Sequence, residues 1–303
     1  MLRPTLTRSA TCSEAVSPPD RLTGIKVDKK PPSLSCGSPD GLWHASDVSI
    51  ACAASDTGSG LANPADTSFS LSTSVPANTE TTSASTGSHT VCDAVNNCAT
   101  AGPIGGNKVD KKSPSITIAS PANANYVISQ LAASSYSCAD GGSGLASCTG
   151  PVASGANFDT ASLGSKVFTV NAADNVGNAT SQTVNYRVGY NVCLLYDPTR
   201  AVNSGNTLPI KIQLCDFNGN DLSSSGIVVH AVQIQQVSTS TSGPVQDSGN
   251  ANPDNDFRYD ATLGPTGGYI FNFKTTGLAT GTYQLQFTAS GDPITHAAGF
   301  QVK

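Results

Sequence analysis

Nine cysteines are the most reactive side chains in this 303-residue chain: Cys12, Cys36, Cys52, Cys92, Cys98, Cys138, Cys148, Cys193 and Cys215. Thiols can ligate metals, act as nucleophiles or oxidise to disulfides, and spacing separates these uses. No CxxC occurs, and no histidine is spaced with a cysteine as zinc sites require, so metal ligation is the weaker reading. Close pairing instead fits an oxidising compartment. The expected bridges are Cys36–Cys52, Cys92–Cys98, Cys138–Cys148 and Cys193–Cys215, with Cys12 left unpaired. Each closes a short loop, worth about 2–3 kcal/mol in the loop-entropy model.

Other chemistry is sparse. The four histidines, His44, His89, His230 and His296, lie far apart in sequence, and two of them sit in strand-like runs. No GxSxG, HExxH or phosphate loop is present. Asp216, Asn218 and Asp221 in DFNGND have a faint calcium-loop spacing. The later Glu is absent, so a hairpin turn is the preferred reading. NPDNDFRYD at 252–260 is a second acidic cluster, read as a solvated loop. Asp28 and Asp110 each precede two lysines. Acids at such positions bind calcium in some tandem sandwiches, but the adjacent lysines weigh against a strong cation site. No catalytic residue and no cofactor is therefore expected.

The elements that must carry these residues are strands. Short β-branched runs with period-two alternation are cut by Gly, Pro, Asn and Asp, and long helical spacing is absent. Phe168, Val170 and Ala172 share a face, as do Val184, Tyr186 and Val188, with DNVGN as the turn between them. Leu208, Ile210, Ile212 and Leu214 alternate with Pro209, Lys211 and Gln213. Charged residues are only 12% and net charge is −5, which disfavours nucleic acid. No apolar run is long enough to span a membrane. The expected class is all-β, with three tandem β-sandwich domains in a row.

Repetition sets the boundaries. VDKK occurs at 27–30 and at 109–112, each time with proline close behind. DTGSGLA at 56–62 matches DGGSGLA at 140–146, and DAVNN at 93–97 matches DNVGN at 174–178. A period of about 82 residues suits an independently folding sandwich. Complete repeats are placed at 30–107 and 108–188, followed by a different unit at 189–303. Residues 1–29 read either as the last hairpin of a preceding repeat or as disordered. The first reading leaves the partner of Cys12 upstream. The start MLRPTLTRSATCSEAV has no apolar segment of the signal-peptide kind, so the chain reads as part of a longer secreted protein. Trp43 and Tyr126 occupy comparable places and read as core aromatics, with sugar stacking as the alternative.

The VDKKxP seams, SGL loop and DxxGN turn resemble bacterial immunoglobulin-like repeats of secreted and surface proteins, over residues 11–188. From residue 189 the chain resembles the PxKF domain, through Pro209, Ile210, Lys211 and Ile212 and through Phe273, Lys274 and Thr275 ahead of GTY. The resemblance implies an extracellular or cell-surface location and a non-enzymatic spacer role. Two alternatives stay open: an adhesin or glycan-binding module, and an accessory C-terminal tail of a secreted hydrolase. The implied partners are cell-surface glycans or proteins. A fragment of this kind is expected to be monomeric.

Overall fold

The computed structural model describes residues 24–246, 248 and 251–303. Cys12 and most of the segment 1–29 lie outside them. Apart from two short 3-10 turns, Pro64–Thr67 and Pro253–Asn255, the regular structure is all strand. In chain order the strands are β1 (Ser33–Cys36), β2 (Trp43–His44), β3 (Ser49–Ser55), β4 (Ser68–Ser72), β5 (Glu80–Ala84), β6 (His89–Cys92), β7 (Cys98–Ala101) and β8 (Asn107–Asp110). Then follow β9 (Ser115–Ser120), β10 (Asn125–Val127), β11 (Ser135–Ala139), β12 (Leu145–Thr149), β13 (Gly164–Asp174) and β14 (Ala179–Gly189). The last are β15 (Asn191–Leu194), β16 (Thr207–Cys215), β17 (Val229–Gln236), β18 (Thr241–Gly243), β19 (Arg258–Asp260), β20 (Gly268–Lys274), β21 (Gly281–Ala289) and β22 (His296–Val302). Residues group into two compact units. The first holds residues 24–40, 49–74 and 85–105, and the second holds 41–48, 75–84 and 106–303.

In the first unit, β3 lies between β1 and β4, and β6 and β7 form a hairpin. The sequence SIACAAS in β3 buries every second residue, so Ile50, Cys52 and Ala54 face inward. Its inner cluster is small: Cys52, Leu71 and Ala101, with Leu34, Cys36, Phe69 and Ile104 packed around it. Two disulfides reinforce this thin core. Cys36 lies directly opposite Cys52 in the β1–β3 register, and Cys92 opposite Cys98 in β6–β7.

The second unit contains two full sandwiches and the sheet β2-β8-β5. One sandwich sets β10-β14-β13-β12 against the pair β11-β9. Its long hairpin β13–β14 runs in unbroken register from Gly164↔Val188 to Ala173↔Ala179. Phe168, Val170, Tyr186 and Val188 fill the interior, whereas Val167 on the opposite face is 62% exposed. The Cys138–Cys148 bridge joins β11 in one sheet to β12 in the other, so it staples the layers together. The last sandwich sets β15-β16-β20-β19 against β18-β17-β21-β22 and holds the largest core. Tyr269, Phe271 and Phe273 alternate inward on β20, opposite Leu285 and Phe287 of β21. The Cys193–Cys215 bridge ties β15 diagonally to β16.

The two aromatics read as equivalent are placed alike but packed differently. Trp43 pairs in parallel with Lys108, and Tyr126 in parallel with Val188. Tyr126 packs edge-on against Phe158 and Tyr186 within its core. Trp43 is half-buried in a two-residue strand and joins none of the buried clusters. Truncating a fully enclosed aromatic should cost far more: Phe271→Ala is expected to destabilise the last sandwich by about 3–5 kcal/mol, checked as a fall in the urea midpoint.

Candidate metal centre at the repeated loops

Three motifs recur in each repeat, and the structure brings all three to one point. Asp28, Asp56 and Asp93 meet in the first unit, and Asp110, Asp140 and Asp174 in the second. In each set the nearest carboxylate oxygens lie within 4.8 Å of one another. The seam supplies the first aspartate, the SGL loop the second and the hairpin turn the third.

Backbone geometry explains each placement. The Asp28 carboxylate accepts the Lys30 N–H at 3.1 Å and the Ser59 N–H at 2.7 Å. Asp110 does the same with Lys112 at 3.1 Å and Ser143 at 2.7 Å. The loop closes tightly on these acids: a Cβ at Gly58 would run into the Asp28 carboxylate, and one at Gly142 into that of Asp110. The turn aspartates cap their hairpins. Asp93 accepts from the N–H groups of Val95 and Asn97, and Asp174 from those of Val176 and Asn178. The turn needs positive φ, supplied by Gly177 at 94° and by Asn96 at 68°. The turn asparagine then reaches back. Asn97 Nδ2 donates to the Asp28 carbonyl at 3.2 Å, and Asn178 Nδ2 to the Asp110 carbonyl at 2.8 Å.

The electrostatics follow from this wiring. The Lys30 and Ser59 N–H groups hold the Asp28 carboxyl below its usual value. Burial pushes Asp93 and Asp110 upward, but hydrogen bonds from Asn97 and Val95, and from Ser143 and Lys112, outweigh it and leave both lowered. Asp140 is different. Burial raises it, the Gly144 N–H offsets part of this, and the charges of Asp110, Asp174 and Glu80 raise it further. At the same loops, the hydroxyl oxygens of Ser59 and Ser143 and one carboxylate oxygen of Glu80 are buried without a hydrogen-bond partner.

Oxygen-only donors of this kind suit a hard divalent cation. Oxygens bound to calcium at about 2.3–2.6 Å lie no more than about 5 Å apart across the ion, and the observed spread fits that limit. Of the lysines that weigh against such a site in the sequence, Lys112 still acts on Asp110 through its charge, but less than the hydrogen bonds do. Lys112 Nζ turns to Glu80 at 3.4 Å, and Lys111 Nζ to Asp47 at 2.7 Å.

Asp216, Asn218 and Asp221 are arranged otherwise. Asp216 is 7% exposed and accepts from the N–H groups of Asn218 and Asn220 and from Asn220 Nδ2. Asp221 accepts from Gln213 Nε2 and from the Ser223 N–H. The segment is thus a hairpin turn with its carboxylates engaged. Three histidines pair with aspartates: His89 with Asp66 at 2.9 Å, His230 with Asp256 at 2.8 Å and His296 with Asp292 at 2.7 Å. Among the described residues, no hydroxyl or thiol hydrogen bonds to the ring of any of these three. Sequence reasoning treated the histidines as solitary, because their partners lie 4 to 26 positions away.

Fold and disulfides together define an all-β protein of tandem immunoglobulin-like sandwiches. No family model matches the chain, and no curated protein matches it. Among solved structures, it is similar to the protocadherin GammaB4 extracellular domain at 13% identity, over 92% of this chain and 52% of that one, with a TM-score of 0.30. It is also similar to the eight N-terminal immunoglobulin domains of Down syndrome cell adhesion molecule, at 12% identity, over 90% and 36%, with a TM-score of 0.33. A third is titin domains I67–I69, at 8% identity, over 92% and 99%, with a TM-score of 0.27. Nothing about function passes to this chain from likenesses so distant.

Two outcomes are expected. Asn178→Ala removes the Nδ2 hydrogen bonds to the Asp174 carboxylate and the Asp110 carbonyl and should cost about 1–3 kcal/mol, seen as a lower denaturant midpoint. Asp140→Asn keeps an acceptor for the Gly144 N–H but removes a charge that the fold disfavours. Because the folded carboxyl is raised, its ionised form opposes folding at neutral pH. Without divalent cations, Asp140→Asn should therefore raise Tm at pH 7. The gain should shrink as pH falls through the carboxylate range.

Proposed function

We propose that this chain is a non-enzymatic extracellular or cell-surface protein, an adhesion-type array of sandwiches whose repeats are clamped by calcium. One observation carries the reading. In the second triad, Asp110 is the aspartate of the VDKK seam and ends β8, a strand paired with β2 and β5 from earlier in the chain, while Asp140 and Asp174 lie beyond the seam. An ion bound there would cross-link the two sides of the seam. The first triad repeats the arrangement with Asp28 in its seam and Asp56 and Asp93 beyond it. Four disulfides within the described residues support an oxidising, extracellular setting. A plain spacer would use the same clamp for stiffness alone.

Finer assignments rest on fewer residues. The bacterial-repeat reading rests on the VDKK, SGL and DxxGN motifs, and the PxKF reading on Pro209–Ile212 and the FKT…GTY run. No observation favours an accessory tail of a hydrolase over the adhesion-type role. Three sandwiches with boundaries at 107/108 and 188/189 remain part of the proposal. Among the described residues no helix is long and apolar enough to cross a membrane.

Calcium titration by isothermal calorimetry, paired with thermal unfolding, tests the clamp. Two sites are expected, with dissociation constants of about 0.1–1 mM as in extracellular modules. At 10 mM calcium each would add about 1.4–2.7 kcal/mol of stability. Asp110→Asn should abolish one site and leave the other. No heat and no thermal shift at 10 mM would sink the proposal.

A further inference from the structure

The lysine of the PIKI strand has no role in the sandwich core. Ile210 and Ile212 are fully buried, and Lys211 between them points to the opposite face of β16. There it lines an open groove of about 700 Å³. Arg200 comes to this groove from the loop after β15, and Lys303 from beyond β22. Thus three separate segments deliver three cations to one concavity. Among the described residues, none of the three forms a salt bridge. Asp197 is the one acid in the lining; its carboxylate is bonded to the Thr199 hydroxyl and N–H and also feels the Arg200 charge, while Lys211 acts on Asp260 outside the lining. The concentration of positive charge is notable in a chain of net charge −5.

Size and lining narrow the ligand. A groove of this volume falls within the range of small-ligand sites. Asn203 and Asn206 lie in the wall, and side-chain amides match the paired donors and acceptors of sugar hydroxyls. Cations beside amides suit a sugar that carries carboxylate or sulfate groups. Long phosphate polymers are disfavoured by the net negative charge of the whole chain, which repels a polyanion extending past the groove.

We propose that this groove binds a short acidic oligosaccharide, with Arg200, Lys211 and Lys303 pairing its anionic groups. The proposal deepens the adhesion-type reading by giving it a ligand class, and rests on that reading only for where such a glycan would be met. Binding to the full chain is measured by calorimetry in EDTA, so the outcome is independent of the calcium sites. The probes are a hexauronate, a sulfated glycosaminoglycan hexasaccharide, neutral maltohexaose and sodium sulfate. One or both acidic hexasaccharides should bind, more weakly as salt rises, and maltohexaose should not. The probe that binds tells uronate from sulfate. Arg200→Gln, on an exposed loop, and Lys211→Gln should each weaken binding by about tenfold or more, with unfolding curves confirming the fold. Unchanged binding in Arg200→Gln, equal binding of maltohexaose, or no binding by either acidic probe would overturn it. Sodium sulfate matching the hexasaccharides would also overturn it, by reducing the groove to a simple anion site. A failure here leaves the calcium titration untouched, so the two readings fail separately.

Discussion

The grip of two backbone N–H groups on the seam aspartate organises each repeat. Asp110 cannot move without releasing Ser143 and Lys112, and Asn178 holds the carbonyl of the same residue. A strand end, a loop and a hairpin turn are thereby fastened at one point. In the first unit Asp28, Ser59, Lys30 and Asn97 make the matching set of bonds. Charge-assisted hydrogen bonds of this kind are roughly twice as strong as neutral ones, so a few of them can define the end of a small sandwich.

That grip has an electrostatic cost. Three carboxylates are held with their nearest oxygens within 4.8 Å of one another, and Asp140 shows the repulsion as a raised carboxyl. A divalent cation bound there, as proposed, would relieve the repulsion and turn a local liability into a cross-link. The rest of the fold compensates for thin cores in another way. In the first unit the inner cluster is built on Cys52, Leu71 and Ala101, and two disulfides lie beside it. In the last sandwich a dense aromatic core carries the stability, which leaves its outer strand face free to display Lys211.

Much of this was legible in the sequence because its physics is local. Alternation decides which residues of a strand share a face, so the inward sets Phe168–Val170–Ala172 and Ile210–Ile212–Leu214 followed from period two alone. Asn96 and Gly177 announced their turns through the conformations they tolerate. The internal repeat exposed VDKK, SGL and DxxGN as three related landmarks. Trp43 misled because side-chain size says nothing about whether a second layer covers it.

The sequence by itself determined an all-β class, the repeat length, the strand faces and the close cysteine pairs, since each depends on neighbours within a strand or a hairpin. Only the tertiary structure decided that the three repeated motifs converge on paired carboxylate triads. It alone also showed that Cys138–Cys148 joins two sheets rather than two neighbouring strands, and that Arg200, Lys211 and Lys303 share a groove. Those are contacts between segments that are not paired as neighbouring strands, and the path of the chain between them is set by packing of whole sheets.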